Sequence, residues 1–167
     1  FNASAWMAGL GTAAIALGMF AGRTCFGLIA RPGNLKIILL AAGLCTIPVT
    51  LLLTVLTPDM FGSRILLFAL LFFLLFLAGI GIAPYWPTLQ VYGVHQLPQL
   101  DSTMLYIYFS AMGIPGCGFF TWIMGVCGDR FGLKNSFFLI PASLVLFSLV
   151  VFLEGWVFPK KNPAEEK

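Results

Sequence analysis

The run Ile65-Leu-Leu-Phe-Ala-Leu-Leu-Phe-Phe-Leu-Leu-Phe-Leu-Ala-Gly79-Ile-Gly81-Ile-Ala-Pro84-Tyr85-Trp86-Pro87-Thr-Leu-Gln90-Val-Tyr92 decides what kind of molecule this is. Its first half is continuous hydrocarbon, and the whole run exceeds the ~20 residues that a spanning helix needs. A barrel strand would instead alternate in units of ~10 residues. Its second half places two glycines, two prolines, two tyrosines, a tryptophan and a glutamine in one segment. Proline deletes a backbone donor and clashes with the preceding turn, so Pro84 and Pro87, behind Gly79 and Gly81, predict a bend. In hydrocarbon such a break is tolerated only where protein or a water-filled cavity satisfies the freed carbonyls. The stretch therefore reads as the wall of a polar path inside a membrane bundle.

Composition extends that reading to the whole chain. Hydrophobic residues make up 60% of the 167, charged residues 9%, and the mean hydropathy is +0.99. A water-soluble domain of this length cannot hide so much apolar surface. The net charge of +3 is small and sits mostly at loops and the C-terminus, so no nucleic-acid footprint is indicated. Cys25, Cys45, Cys117 and Cys127 lie in or beside apolar segments without CxxC or Cys–His ligand spacing, and read as small packing residues. No metal or cofactor is expected. The chain opens at Phe1 without an initiator Met or charged leader, and reads as a piece of a larger protein.

Five apolar segments of spanning length stand out, at about 6–30, 35–56, 65–92, 103–127 and 134–157. The expected fold is an all-α polytopic bundle of five spanning helices over residues 1–159, with a polar tail at 160–167. The connections carry Pro, Gly, Asn or Asp, as turns do; one of them is placed at Gly128–Leu133. Short connections make neighbours antiparallel and put the two chain ends on opposite faces. One face then receives Arg31, Lys36, Lys160, Lys161 and Lys167, and the other Arg64, Arg130 and Lys134. The excess places the first face, and the C-terminus, in the cytoplasm, in a plasma or inner membrane. Trp156 and Phe158 before Lys160 read as an interfacial belt. The second and fifth segments, mostly aliphatic and Phe, read as lipid-facing. The first, third and fourth concentrate glycine and the larger polar residues, which suits packing or a cavity.

Within the first segment Gly11, Ala14, Gly18 and Gly22 form a smooth stripe that lets two backbones approach. Arg23 lies seven residues before Ala30, roughly 10 Å inside the helix end at 1.5 Å per residue. An intramembrane arginine is costly and a functional candidate by default, with a snorkelling interfacial anchor or gate-side ion pair as the alternative. Trp86 and Gln90 are four apart on one face, where indole and amide together can stack on and hydrogen-bond a polar solute. An interfacial tryptophan and a glutamine bonded to a neighbouring helix are the competing reading. In the fourth segment Tyr106, Ser110, Gly113 and Cys117 share a face, Tyr108 lies beside it, and Pro115 should loosen the helix near its middle. Tyr106 equally suits an aromatic belt, and His95 is placed in a loop as a solvated residue.

Two absences matter. All six carboxylates (Asp59, Asp101, Asp129, Glu154, Glu165 and Glu166) fall at loops, helix ends or the tail, so no acid stands at the bilayer midplane. Nor is there a GxSxG, HExxH or GxxxxGK[ST] signature, so no enzyme is expected.

The layout resembles the last five helices of the C-terminal half of the major facilitator superfamily. Gly18-Met-Phe-Ala-Gly22-Arg23, Gly27 and the Arg31–Lys36 turn resemble that family's eighth helix and the basic turn behind it, without the usual acid. Pro84-Tyr-Trp-Pro87-Thr88 after the glycine-rich run is similar to its tenth helix, and Gly113-Ile-Pro-Gly116 onward to its eleventh. Gly125, Asp129, Arg130, Gly132 and Lys134 match the spacing of GxxxDRxGxK, a motif best known from cytoplasmic loops, although the charge count puts this copy outside. The Asn2-Ala-Ser4 sequon falls on the same outer side. The resemblance implies a partial major-facilitator fold whose seventh helix and N-terminal half lie elsewhere. It also implies a secondary carrier moving a small polar solute, such as a sugar or organic metabolite, by alternating access; within the family, the Pro-x-x-Pro-Thr element is similar to that of sugar–proton symporters of the fucose-permease type. Candidate path residues are Arg23, Tyr85, Trp86, Gln90, Tyr108 and Ser110, with bending at Gly79, Gly81, Pro84, Pro87, Gly113 and Pro115. Expected partners are membrane lipid, the solute and the other half of the same transporter. The alternative is a non-transporting receptor or assembly subunit on a carrier-like scaffold. If the orientation is right, epitope tags in the Arg31–Asn34 turn and behind Lys167 label only after cells are permeabilised, whereas one beside Arg64 labels on intact cells.

Overall fold

The computed structural model describes residues 5–57 and 62–157. Among them seven helices run in order: α1 (Ala5–Ile29), α2 (Leu35–Val55), α3 (Arg64–Ile82), α4 (Tyr85–Gln96), α5 (Ser102–Phe131), α6 (Leu133–Ser136) and α7 (Leu139–Val157). No strand occurs among the described residues. Five helical stretches are long and apolar enough to cross a membrane: Trp6–Ile29, Leu35–Val55, Arg64–Gln96, Ser102–Phe131 and Leu133–Glu154. The chain is thus an all-α bundle of membrane-spanning character. The Asn2–Ser4 sequon, Asp59, Phe158 and the tail from Lys160 lie outside the described residues, as does the Trp156 side chain.

α1 lies along α3, and glycine sets how closely. A methyl group at Gly18 would run into the Phe76 carbonyl, one at Gly79 into the Ile15 carbonyl, and one at Gly22 into Ala83 and Ile80. Gly18 and Gly79 face each other, so backbone packs on backbone. In lipid, where tails are as apolar as side chains, such close dispersion contact is what drives association.

α2 is the hub, touching α3, α4 and α7. Its buried face carries Leu35, Ile38, Leu39, Ala42, Gly43, Thr46, Thr50 and Thr54. The threonine hydroxyls donate back into their own helix, Thr46 to the Ala42 carbonyl (2.5 Å), Thr50 to Thr46 (3.0 Å) and Thr54 to Leu51 (2.7 Å). They are small, internally satisfied packing residues. Thr46 fills the space that Gly81 leaves on α3. The expectation that the second segment faces lipid is therefore corrected, since α2 is the most buried span and α5 has only Leu105 buried. Hydrophobicity cannot tell a lipid neighbour from a protein one.

The third segment breaks where proline requires it. α3 ends at Ile82, Ala83 and Pro84 form a turn, and α4 runs on to Gln96, past the expected limit at Tyr92. Pro84 stays near helical angles (φ −78°, ψ −16°) and its carbonyl accepts from the Thr88 N–H at 2.9 Å. Pro87 then falls in the first turn of α4, where a backbone donor has no intrahelical partner to lose. His95 consequently sits in the last turn of α4 rather than in a loop. Pro115 does not interrupt α5, which is assigned as one helix from Ser102 to Phe131.

The expected Gly128–Leu133 connection shrinks to Gly132, whose φ of +88° only glycine adopts freely. The helix gains from continuing, because Gly132 N–H bonds the Gly128 carbonyl and the Asn135 amide bonds Phe131. Gly125, Asp129 and Arg130 thus belong to α5 and Lys134 to α6, and Asp129 and Arg130 are exposed without an ion pair among the described residues. At the other end Asp101 caps α5, accepting from the Thr103 and Met104 N–H groups, which hold its carboxyl below the usual range. This cap is complete above the ordinary Asp pKa of ~3.9 and is lost as pH falls through the lowered value.

Gly18→Ala or Gly79→Ala in the full-length protein should lower unfolding stability in detergent by about 1–3 kcal/mol through overpacking. Gly9→Ala, on the same helix with open space around it, should leave the thermal midpoint unchanged or slightly raised.

Candidate functional site

The glycine seam between α1 and α3 ends at Gly22 and Ala83, and beyond it the two chains part. The gap is a cavity of about 500 Å3 bordered by the second half of α1 (Arg23, Phe26, Gly27), Arg31 and Pro32 of the turn, and Pro84, Trp86 and Thr88 at the start of α4. It lies between the middle of the bundle and the α1–α2 turn. α4 shapes it by dividing its surface into three faces. Pro87 and Val91 border the cavity. Trp86, Gln90 and Gly93 meet α5: the indole lies over Gly113, the Gln90 amide reaches Ser110 Oγ at 3.4 Å, and Gly93 receives the Phe109 ring. Tyr85 and Tyr92, seven apart, turn toward α2 and α7.

The sequence-derived path residues are accordingly split. Arg23 and Trp86 share the cavity. Trp86 is 45% exposed, so it both packs on α5 and borders open space. Gln90 and Ser110 hold α4 to α5, the reading in which glutamine bonds a neighbouring helix. Tyr108 is exposed and away from the cavity. Tyr85 points elsewhere: its ring packs edge-on to Phe147 at 5.0 Å, and its hydroxyl is buried beside Ser148 against Gly43. The two hydroxyls lie together there, with no other hydrogen-bond partner among the described residues. Among the bending residues, Pro84 and Pro87 border the cavity, Gly79 and Gly81 serve packing, and Gly113 seats the indole.

Sequence reasoning did not name several of the residues assembled here as path residues. Arg31 counted toward topology and the basic-turn resemblance, Gly27 and Thr88 entered only through the resemblance, and Phe26 was not singled out. It also passed over a polar cluster, where Tyr92 donates to Glu154 and Lys36 pairs with the same carboxylate at 3.5 Å. The seven-residue spacing of Tyr85 and Tyr92 was the available clue, since it places both rings on one helical face.

Electrostatically the cavity is cationic. Glu154 is committed to Lys36 and Tyr92, and neither the Arg23 nor the Arg31 guanidinium makes a hydrogen bond or ion pair among the described residues. Arg31 is instead positioned by its backbone: its N–H donates to Asn34 Oδ1 (2.7 Å), while the Asn34 amide donates to the Ile29 carbonyl (2.9 Å). A second cavity, of about 690 Å3, is lined mainly by aliphatic side chains. Its only polar residues are Lys134 and the self-bonded Thr50 and Thr54, so it offers little for recognition. No group of three His, Cys, Asp or Glu side chains able to hold a metal occurs among the described residues. Comparison with protein families, characterised proteins and solved structures finds no match to the chain.

Gly113→Val should unseat the indole of Trp86, lowering stability by about 1–3 kcal/mol. The loss should be accompanied by a shift in tryptophan emission that is absent when the same substitution is made in a Trp86→Phe background.

Proposed function

We propose that the chain is the cavity-bearing part of a secondary carrier of the major facilitator type, moving a small polar solute across a plasma or inner membrane by alternating access. The observation that carries the reading is the cavity beside a broken span, bordered by an arginine, an indole and a threonine within an otherwise apolar bundle. Small-molecule sites combine such an apolar wall with a few convergent polar groups. Transporters of this kind build them where spanning helices are interrupted. The Ala83–Pro84 turn lets α4 tilt relative to α3. Because α4 is tied to α5 through Trp86 and Gln90 and to α7 through Tyr92 and Glu154, a tilt would carry those helices with it. The seventh helix and N-terminal half of the carrier would supply the opposite wall, and would cover α5, whose surface is almost wholly exposed here. With the C-terminus cytoplasmic, the cavity opens toward the cytoplasmic side.

The test is uptake of labelled monosaccharides and small organic acids into proteoliposomes holding the full-length protein. Trp86→Ala should reduce flux at least tenfold at equal incorporation, and Tyr108→Phe should leave it within twofold. Saturable binding without flux of any solute in the panel would favour the receptor or assembly-subunit reading instead.

A further inference from the structure

We infer that the cavity between α1 and the start of α4 is an anion site, taking a carboxylate or phosphate group attached to an apolar body. Naming that anion as the transported solute rests on the carrier reading above; the site itself rests on the cavity.

Arg23 and Arg31 border one space of about 500 Å3, and neither guanidinium has a partner among the described residues. Arginine cannot shed its charge in a protein, so the cost of holding it within a span is met by a counter-charge or by water. Glu154 is already engaged, held by Lys36 and Tyr92. The planar fork of arginine matches carboxylate and phosphate oxygens two at a time, and a pair of arginines fixes both the position and orientation of such a group. Most of the remaining lining is apolar, with Phe26, Trp86 and Pro87 prominent in it. It provides an apolar surface with Thr88 as the one further polar side chain, and so few acceptors for a ligand rich in hydroxyl donors.

The helix ends do not set the sign. The C-terminal end of α1 and the N-terminal end of α4 both open on this space, and their partial charges oppose each other. Part of the first is removed, since Asn34 caps the Ile29 carbonyl. The guanidiniums therefore decide which ligands fit. A neutral sugar could accept hydrogen bonds from them but would leave both charges uncompensated, whereas an organic anion neutralises charge and lays its carbon skeleton on the aromatic wall. The same chemistry is offered by a free organic acid and by the headgroup of an anionic lipid entering from the bilayer.

The experiment uses the full-length protein in nanodiscs of neutral phosphatidylcholine, with thermal midpoint and tryptophan emission as readouts. Benzoate serves as the free-anion probe, benzamide as its uncharged counterpart, and phosphatidylglycerol, added to the discs, as the lipid probe. Benzoate should raise the midpoint saturably and benzamide should not. Arg23→Gln should weaken the benzoate response at least tenfold, Arg23→Lys should retain part of it, and Arg31→Gln should weaken it less. The response should also fall with added salt, as ion pairing requires. If phosphatidylglycerol raises the midpoint in an Arg23-dependent manner and competes with benzoate, the anion is a lipid headgroup. If benzoate alone does so, it is a free solute. The inference is overturned if neither anion produces a shift, or if the shifts survive in the Arg23→Gln, Arg31→Gln double variant. Proteoliposome uptake separates the two claims. Arg23-dependent benzoate binding without flux of any solute would leave the anion site standing and remove the carrier. Flux of a neutral solute that ignores both arginine substitutions would do the reverse.

Discussion

The contact between Gly18 and Gly79 is the constraint on which the rest of this bundle depends. With no side chain on either residue, α1 and α3 meet backbone to backbone, and the seam continues as far as Gly22 against Ile80 and Ala83. In a lipid environment there is little hydrophobic gain from burying one leucine against another, so such close backbone packing is the means of choosing a neighbour. The seam also fixes the register. It brings Arg23, Phe26 and Gly27 to the same cavity as Pro84, Trp86 and Pro87, beyond the close contact at Gly22.

Proline acts at the other end of the same seam. Pro84 is fully buried at the junction of α3 and α4, where surrounding protein shields the interrupted backbone from hydrocarbon. The break frees α4 to present three faces: aromatic and amide groups to α5, tyrosines to α2 and α7, and proline and valine to the cavity. Small residues make each junction possible. Gly113 seats Trp86, Gly93 seats Phe109, Gly81 seats Thr46, and Gly43 makes room for the Tyr85 and Ser148 hydroxyls. Much of the glycine in this chain thus serves close approach; among the described residues only Gly132 is required for its backbone angles.

Much of this organisation was legible in the sequence, and unevenly so. The five spans were visible because a run of some twenty apolar residues has few other fates. The α1 stripe, the interruption near Pro84, and Arg23 and Trp86 as notable side chains were visible as departures from that background. The extent of α5 was not, because Gly128, Asp129 and Gly132 look alike as turn formers, yet only Gly132 leaves the helix. Nor were the neighbours of Tyr85 and Gln90, since a polar side chain on a spanning helix can be aimed at a cavity or at another helix with the same local sequence.

Sequence alone therefore determined the all-α, membrane-spanning class of this chain, its span boundaries to within a few residues, and the smooth glycine stripe on α1. These are local or compositional properties, set by backbone hydrogen bonding in hydrocarbon and by the absence of a side chain at particular positions. Tertiary structure alone decided that α2 rather than α5 is the buried hub, that Tyr85 faces α7 while Trp86 borders the cavity, and that Arg23 and Arg31 share one space without a counter-charge among the described residues. Those outcomes depend on which helix lies against which. An apolar residue carries no record of whether lipid or protein will cover it, and a charged one carries none of what stands across the gap.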